Sequence, residues 1–486
     1  MSAAAAVALH RNGHTLGDDF ALYLRQARGV FDGDPSQVVG DNRFSVVNSG
    51  GAFSPIAYPW GWPLLLSPFV KWWGLDYDRL KLLEVATFCT WVVLVHGIVR
   101  RRGGRIVALA VAGAVATSPP LLAHTDQLLS EFPHAMAVTV FIWWFDRILG
   151  DSTLLAAPTS RLVVLGVLIA AAYNVRRESV VLVVAVAVVQ LVELVPRLWA
   201  WLDGHRPSVP WRAIGLPHLA FAASAGGFQL LIPSMLVPDT GDGPGFIDDR
   251  FKDWPRALSR MLGLGTHPAV GATILVLALA GAIIAVIRRP RLNGPLFAVG
   301  LLSALAVSTH FRMVERYYFQ VLPWVLYFAV VPIVELAGLA LRHRPTRRTV
   351  LVGVASALPM VYLVGVHAAV LPGAIGRARD FDRAGRQQIG PTDPSYTPVY
   401  AAVTAYTAPT DVVAFFRART MTLLTDRRTI QTTNLDRIRL RADFFAQQIG
   451  SDYYQPDMTT AEGLAAGFEV VWSDSRWILW RVPDPS

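Results

Sequence analysis

The feature that most constrains this chain is a ladder. Apolar runs close to membrane-spanning length recur along it, and every second connection between them is rich in arginine. The runs are 80–99, 106–123, 132–149, 162–175, 180–195, 213–233, 269–287, 295–309, 319–341 and 350–371. About twenty helical residues cross a hydrocarbon core of ~30 Å, and in lipid a helix satisfies its own backbone hydrogen bonds. The sequence therefore predicts an α-helical polytopic membrane protein with about ten spanning helices. Charged residues make up 16% of the chain, well below the ~25% of soluble domains. The net charge of +9 is spread over the connections rather than gathered in one patch, so no nucleic-acid partner is expected. Cys89 is the single cysteine, which excludes a disulfide framework and a cysteine metal site.

Arg100, Arg101, Arg102 and Arg105 come after the first run, and Arg147 and Arg161 after the third. Arg197, Arg206 and Arg212 succeed the fifth, Arg288, Arg289 and Arg291 the seventh, and Arg342, Arg344, Arg347 and Arg348 the ninth. By the positive-inside rule these connections are cytoplasmic. The other connections, the N-terminal segment and everything beyond residue 371 then lie outside. An outside N-terminus must be translocated, and residues 3–9 are too short to span, so the expectation is that a first helix is missing upstream. Residues 33–57, rich in Gly, Asp, Asn and Ser, read as an exposed stretch of an outer loop 17–79. Residues 64–73, broken by prolines and tryptophans, read as an interfacial or re-entrant piece.

Composition changes after the last run, dividing the chain into a transmembrane domain 1–371 and a small extracytoplasmic α/β domain 372–486. Within the latter, 412–416, 421–424, 468–472 and 477–482 read as strands, and 398–406 and 442–449 as helices.

Ionisable groups at helix mouths are costly to place there, which makes them functional candidates. Four clusters share the outer face in this topology: Asp18 with Asp19, Asp126 with Glu131, Arg176 and Arg177 with Glu178, and His310, Arg312, Glu315, Arg316 and Tyr317. Guanidinium groups bind a lipid phosphate at the interface and stabilise its charge as it leaves. A carboxylate beside the reacting carbon accepts the proton of an attacking hydroxyl. Acids and arginines on one surface thus suit transfer from a lipid-carried donor to a hydroxyl.

The order of these motifs resembles a known pattern. Gly17-Asp18-Asp19, with Tyr23-Leu24 and Ala27-Arg28 beyond it, is similar to the first outer-loop motif of GT-C superfamily glycosyltransferases. Tyr58-Pro59 with Gly61, Pro63 and Leu64–66 is similar to the next segment of that pattern. Ser130-Glu131, Arg176-Arg177-Glu178, and Glu315-Arg316-Tyr317 ahead of Leu322-Pro323 continue the resemblance, which spans roughly residues 17–371. It covers protein O-mannosyltransferases, aminoarabinose transferases of lipid A, and actinobacterial arabinosyl- and mannosyltransferases. The second acid is Asp where Glu is frequent in that superfamily.

The resemblance implies an inverting glycosyltransferase of the cytoplasmic membrane, active on its outer face. The donor would be a polyprenyl-phosphate sugar, and the acceptor a hydroxyl of an envelope glycan, lipid or protein. By residue match the base is Asp18, with Asp19 the alternative. Arg176, Arg177 and Arg316 are the donor-phosphate candidates. Asp126, Glu131, Glu315, Tyr317, Tyr58 and Trp60 are the candidates for contact with substrate. No cofactor is demanded by the spacing of the acids, although His310 beside Glu315 can help hold a divalent cation. The arginine-rich, alanine-rich composition fits an actinobacterial envelope.

Each residue has a plainer reading. Asp18 and Asp19 are also good helix caps, and Glu131 favours the start of a helix dipole. The arginines and Tyr317 suit an interfacial anchor. Trp60, Trp62, Trp72 and Trp73 read as a membrane-interface belt, with sugar stacking on Trp60 or Trp62 the lesser role. Asp248, Asp249 and Lys252 read as a solvated face. The competing functions are a transporter or flippase and a non-catalytic scaffold. A transporter places charges deep within broken helices in repeated halves, whereas here they gather at the outer mouths.

Overall fold

A computed structural model of the chain describes residues 2–51, 53, 55–205, 208–232, 253–309, 314–341 and 345–483. His310, Arg312, Asp248, Asp249 and Lys252 lie outside the described residues. The N-terminal half runs α1 (Ser2–Val7), α2 (Asp19–Asp32), α3 (Pro35–Asn48), α4 (Gly61–Trp73), α5 (Tyr77–Thr117), α6 (Pro119–His124), α7 (Glu131–Asp151), α8 (Thr159–Val175), α9 (Val181–Leu202) and α10 (Trp211–Leu231). Helices Trp254–Met261, Pro268–Arg288, Pro290–Ser308, Leu322–Ala340 and Pro345–Arg383 come next.

Each apolar run read from the sequence is helical over most of its length, and the chain is a polytopic α-helical membrane protein. Among the described residues, seven helices are long and apolar enough to cross a membrane. The difference from about ten has physical causes. The first two runs are fused in α5, which bends at Gly104 with φ 79° and ψ −179°. That backbone region is open essentially to glycine alone. Helix α7 carries Glu131, Asp146, Arg147 and Asp151, and α8 is only 17 residues long. The second run ends early, at Thr117, because Pro119 and Pro120 lie just beyond it. The last helix continues to Arg383, past the boundary read at residue 371.

The stretch 33–57 is not an exposed loop. Asp34 caps α3 by accepting from the Ser36 N–H, Pro35 opens it, and Val38, Val39, Asp41, Asn42, Ser45 and Val46 are buried. Its inward face is covered by α2 and by the C-terminal sheet, partners that lie far off in sequence. Trp60 and Trp62 are fully buried and so do not form an interface belt, whereas Trp72 is 73% exposed. Trp62 packs with Phe20, Tyr23, Leu24 and Ala27, joining α4 to α2.

The C-terminal part holds one five-stranded sheet in the order β2-β1-β3-β5-β4, with β1 (Val412–Ala414), β2 (Arg428–Ile430), β3 (Phe444–Gln448), β4 (Glu469–Ser473) and β5 (Trp477–Arg481). β1 pairs in parallel with β2 and β3, and β5 lies antiparallel between β3 and β4. Alternate residues serve opposite faces, as strand geometry requires. Val413, Phe444, Ala446, Trp477 and Leu479 fill one core, while Ala414, Phe445, Ile478 and Trp480 fill the other. Two expectations fail here. The segment 421–424 lies within the helix Ala418–Thr425, and 442–449 contains strand β3 rather than a helix. Short apolar runs do not carry a period, and the paired Phe444 and Phe445 favour a pleated surface.

Two seams fasten the C-terminal part to the segment before α2 and to α3. Gln388 N–H donates to the Asn12 carbonyl at 2.9 Å and Leu16 N–H to the Ile389 carbonyl at 2.6 Å. Thr420 Oγ1 donates to the Gly17 carbonyl at 3.0 Å, and Arg428 Nε to Asp41 at 2.9 Å.

Candidate active site

The start of α2 presents Asp18 and Asp19. Asp18 occupies the N-cap position, yet its side chain makes no capping hydrogen bond, so the capping reading does not account for it. Its Oδ2 accepts from Arg417 Nη1 at 3.4 Å, and its Oδ1 is buried with no hydrogen-bond partner among the described residues. Burial raises the proton affinity of this carboxyl above the ordinary carboxylate range; Arg417 and Arg419 oppose that rise and Asp19 adds to it.

Asp19 is held differently. Tyr58 Oη donates to its Oδ1 at 2.6 Å, and Arg316 Nη2 donates to its Oδ2 at 3.1 Å. Burial, reinforced by the Asp19 charge, keeps the Tyr58 hydroxyl protonated. Arg316 also reaches Glu131, with Nε 3.1 Å from Oε1. Burial opposes the charge on Arg316, but Glu131 and Asp19 outweigh it and hold the guanidinium protonated. Glu131 opens α7 and is 4% exposed at its side chain.

Arg176 completes the chain of charges. Its Nη1 donates to Glu131 Oε1 at 3.2 Å and to Ser130 Oγ at 3.3 Å, and its Nη2 to Glu178 at 2.8 Å. Ser130 Oγ lies 2.9 Å from Tyr23 Oη. The Tyr317 ring sits beneath both guanidiniums, 4.7 Å from Arg176 and 5.5 Å from Arg316. Asp19, Arg316, Glu131, Arg176 and Glu178 thus form one continuous ion-pair network across α2, α7, the turn Arg177–Val180 and the turn Glu315–Tyr318. Each arginine keeps N–H donors beyond those it spends on carboxylates.

Other candidates fall outside this network. Asp126 pairs with Lys81 at 2.9 Å and Arg11 at 3.3 Å, which binds the N-terminal segment to α5. Glu315 pairs with Arg260 at 2.5 Å. Arg177 is half-buried on the neighbouring turn. Trp60 is enclosed by Val39, Val46, Ile56 and Ala57 and cannot stack on a sugar in this arrangement. Among the described residues no group of three His, Cys, Asp or Glu side chains is disposed to hold a metal ion.

Arg417 and Arg419 were not legible as site residues. Arg419 Nε donates to Asn42 Oδ1 at 3.1 Å, and its Nη1 lies 3.4 Å from Tyr58 Oη. The one available signal is an arginine pair between two apolar runs, at 412–416 and 421–424, and nothing local ties it to residue 18.

No protein-family model matches the sequence, and no curated protein does. Solved structures share the architecture. ArnT of Cupriavidus metallidurans bound to undecaprenyl phosphate superposes with a TM-score of 0.59 at 13% identity, over 99% of this chain and 96% of that one. The apo oligosaccharyltransferase of Archaeoglobus fulgidus gives 0.56 at 12% identity, over 92% of this chain and 68% of that one. AglB of the same organism, in complex with an inhibitory peptide and a dolichol-phosphate, gives 0.53 at 11% identity with the same coverages. The fold is therefore that of GT-C polytopic membrane proteins.

Proposed function

We propose that this protein is an inverting glycosyltransferase that moves a sugar from a polyprenyl-phosphate donor to a hydroxyl of an envelope glycan, lipid or protein. The observation that carries this reading is the pairing of a buried, incompletely satisfied Asp18 carboxylate with a neighbouring network of arginines rich in N–H donors. ArnT with undecaprenyl phosphate and AglB with a dolichol-phosphate share the fold, which supports a lipid-phosphate donor here.

In this reading Asp18 accepts the proton of the acceptor hydroxyl as its oxygen bonds to the anomeric carbon. The carbon–oxygen bond to phosphate breaks, and the bonding pair leaves with the polyprenyl phosphate. Arg316 and Arg176, steadied by Tyr317, meet the charge that builds on that phosphate. Asp19 and Glu131 orient the guanidiniums, and Tyr58 orients Asp19. Attack opposite the leaving oxygen inverts the configuration. The site and the domain 372–486 are assigned to the extracytoplasmic face of the inner membrane, with the transmembrane domain ending at 371. The C-terminal domain covers the acceptor side and lends Arg417.

The test is transfer from a defined polyprenyl-phosphate sugar by purified protein in lipid. Asp18→Asn is expected to reduce turnover by ~10²–10⁴, and Asp19→Asn by less. Full activity in Asp18→Asn would remove Asp18 as the base.

A further inference from the structure

Helix α7 links two different ends of the molecule. Glu131 opens it at the candidate site, and Asp151 closes it twenty residues later. At 1.5 Å per residue that is ~30 Å, the thickness of a bilayer's hydrocarbon core. The first half of α5, long and apolar enough to cross a membrane, runs from Tyr77, packed on Phe20 of α2, to Arg101, which lines one cavity with the far end of α7, so that end is placed at the face opposite the candidate site.

There a cavity of about 490 Å³ is lined by Arg101, Trp143, Trp144, Arg147, Asp151 and Arg161. Trp143, Arg147 and Asp151 recur every fourth residue, so they share one side of α7. Arg101 comes from the end of the first half of α5, and Arg161 from the first turn of α8. The arginines are not equivalent. Arg161 is neutralised by Asp151 at 2.6 Å, and its carbonyl accepts from Trp144 Nε1 at 3.1 Å. Arg147 lies over the Trp143 ring at 4.2 Å. Among the described residues neither Arg101 nor Arg147 has a carboxylate within ion-pair distance, so the cavity holds two uncompensated positive charges.

We propose that this cavity binds the phosphate of an anionic phospholipid from the leaflet opposite Asp18 and Asp19, with Arg101 and Arg147 as its ligands. Guanidinium groups match phosphate oxygens in bidentate fashion, and paired indoles prefer headgroup depth. Stacking on Trp143 holds Arg147 flat and lowers the freedom lost on binding. The occupant is a lipid rather than free phosphate because the flank of α8 beyond Arg161 is apolar and exposed. Val164 and Val167, one and two turns deeper, are 37% and 43% exposed, a surface for acyl chains below the headgroup.

The full-length protein, reconstituted in phosphatidylcholine nanodiscs, is titrated with phosphatidylglycerol and bound lipid is counted by native mass spectrometry. The parent is expected to retain phosphatidylglycerol over phosphatidylcholine. Arg101→Gln and Arg147→Gln should each weaken that preference about fivefold, and together about 25-fold. Asp151→Asn frees the charge of Arg161 and should strengthen it. This gain-of-binding variant carries the test if the double variant does not fold. Parent-like selectivity in a folded double variant, or no gain in Asp151→Asn, overturns the proposal. So does inorganic phosphate displacing phosphatidylglycerol at equal concentration, which would make the site one for a free anion.

Discussion

Arg316 offers the sharpest test of the candidate site, because one guanidinium serves two carboxylates in unequal surroundings. Its contact with Asp19 is partly open, the Asp19 side chain being 38% exposed, so solvent screens that half. An exposed pair of this kind contributes at most ~1 kcal/mol. Glu131 is 4% exposed and keeps Arg176 at 3.2 Å when Arg316 is removed. Losing one of the two guanidinium partners of a buried carboxylate costs ~1–3 kcal/mol. Arg316→Ala should therefore lower stability by roughly 2–3 kcal/mol, nearly all of it through Glu131. Adding Glu131→Gln should recover most of that loss.

Activity should behave differently. Removing one donor from a developing oxyanion costs ~10²–10³ in turnover, and Glu131→Gln cannot restore a donor. Arg316→Lys keeps the charge but cannot span both carboxylates from one nitrogen, so a loss of ~10–100-fold is expected. The assay is single-turnover sugar transfer beside thermal unfolding, on the same four proteins in the same lipid. If Glu131→Gln rescues transfer together with stability, Arg316 is a structural strut and the phosphate-binding argument fails. Full transfer by Arg316→Lys would refute it equally.

Other outcomes rest on single observations. Asp18 has a raised folded-state proton affinity, so the native state holds more protons than the unfolded chain just above the ordinary carboxylate pKa. Its ionisation thus lowers stability as pH rises through the folded value, and Asp18→Asn should melt no lower than the parent at pH 7 while losing transfer. The parent's transfer rate should fall on acidification at a pH above the usual carboxylate range. Gly104→Ala meets nothing within 4 Å, so its cost is purely conformational, ~1–3 kcal/mol by thermal unfolding. Arg102 grips Asp146 with two bonds of 2.6 Å in a buried setting. Arg102→Ala should destabilise by ~3–5 kcal/mol, and pairing it with Asp146→Ala should return part of that.

The bundle was legible because lipid demands length and apolarity of a single segment, and the arginines mark where segments stop. The features that sequence reading missed were decided by partners distant along the chain. Helix α3 contains Gly40 and polar residues, and Val39 and Val46 look like loop valines until Ile56, Ala57 and Trp60 pack against them. Trp60 and Trp62 resemble interfacial anchors by type, yet α2, α3 and α4 close over them. Asp19, Glu131, Arg176 and Arg316 were each visible at a helix mouth, but not the order in which they pair. Asp126, equally acidic and only five residues from Glu131, belongs to Lys81 instead. Burial and facing direction decide such questions, and neither is written in the local sequence.

The contact between Arg417 and Asp18 joins residues 399 positions apart. During synthesis the carboxylate emerges early and its guanidinium partner late, after the helices between them. The bundle can insert and pack while Asp18 still lacks Arg417 and Arg419, and while Gly17 lacks the bond from Thr420. Completion of the site thus becomes the closing event of biogenesis. A chain ending before Arg417 would carry every helix of the bundle and still leave Asp18 without its guanidinium contact.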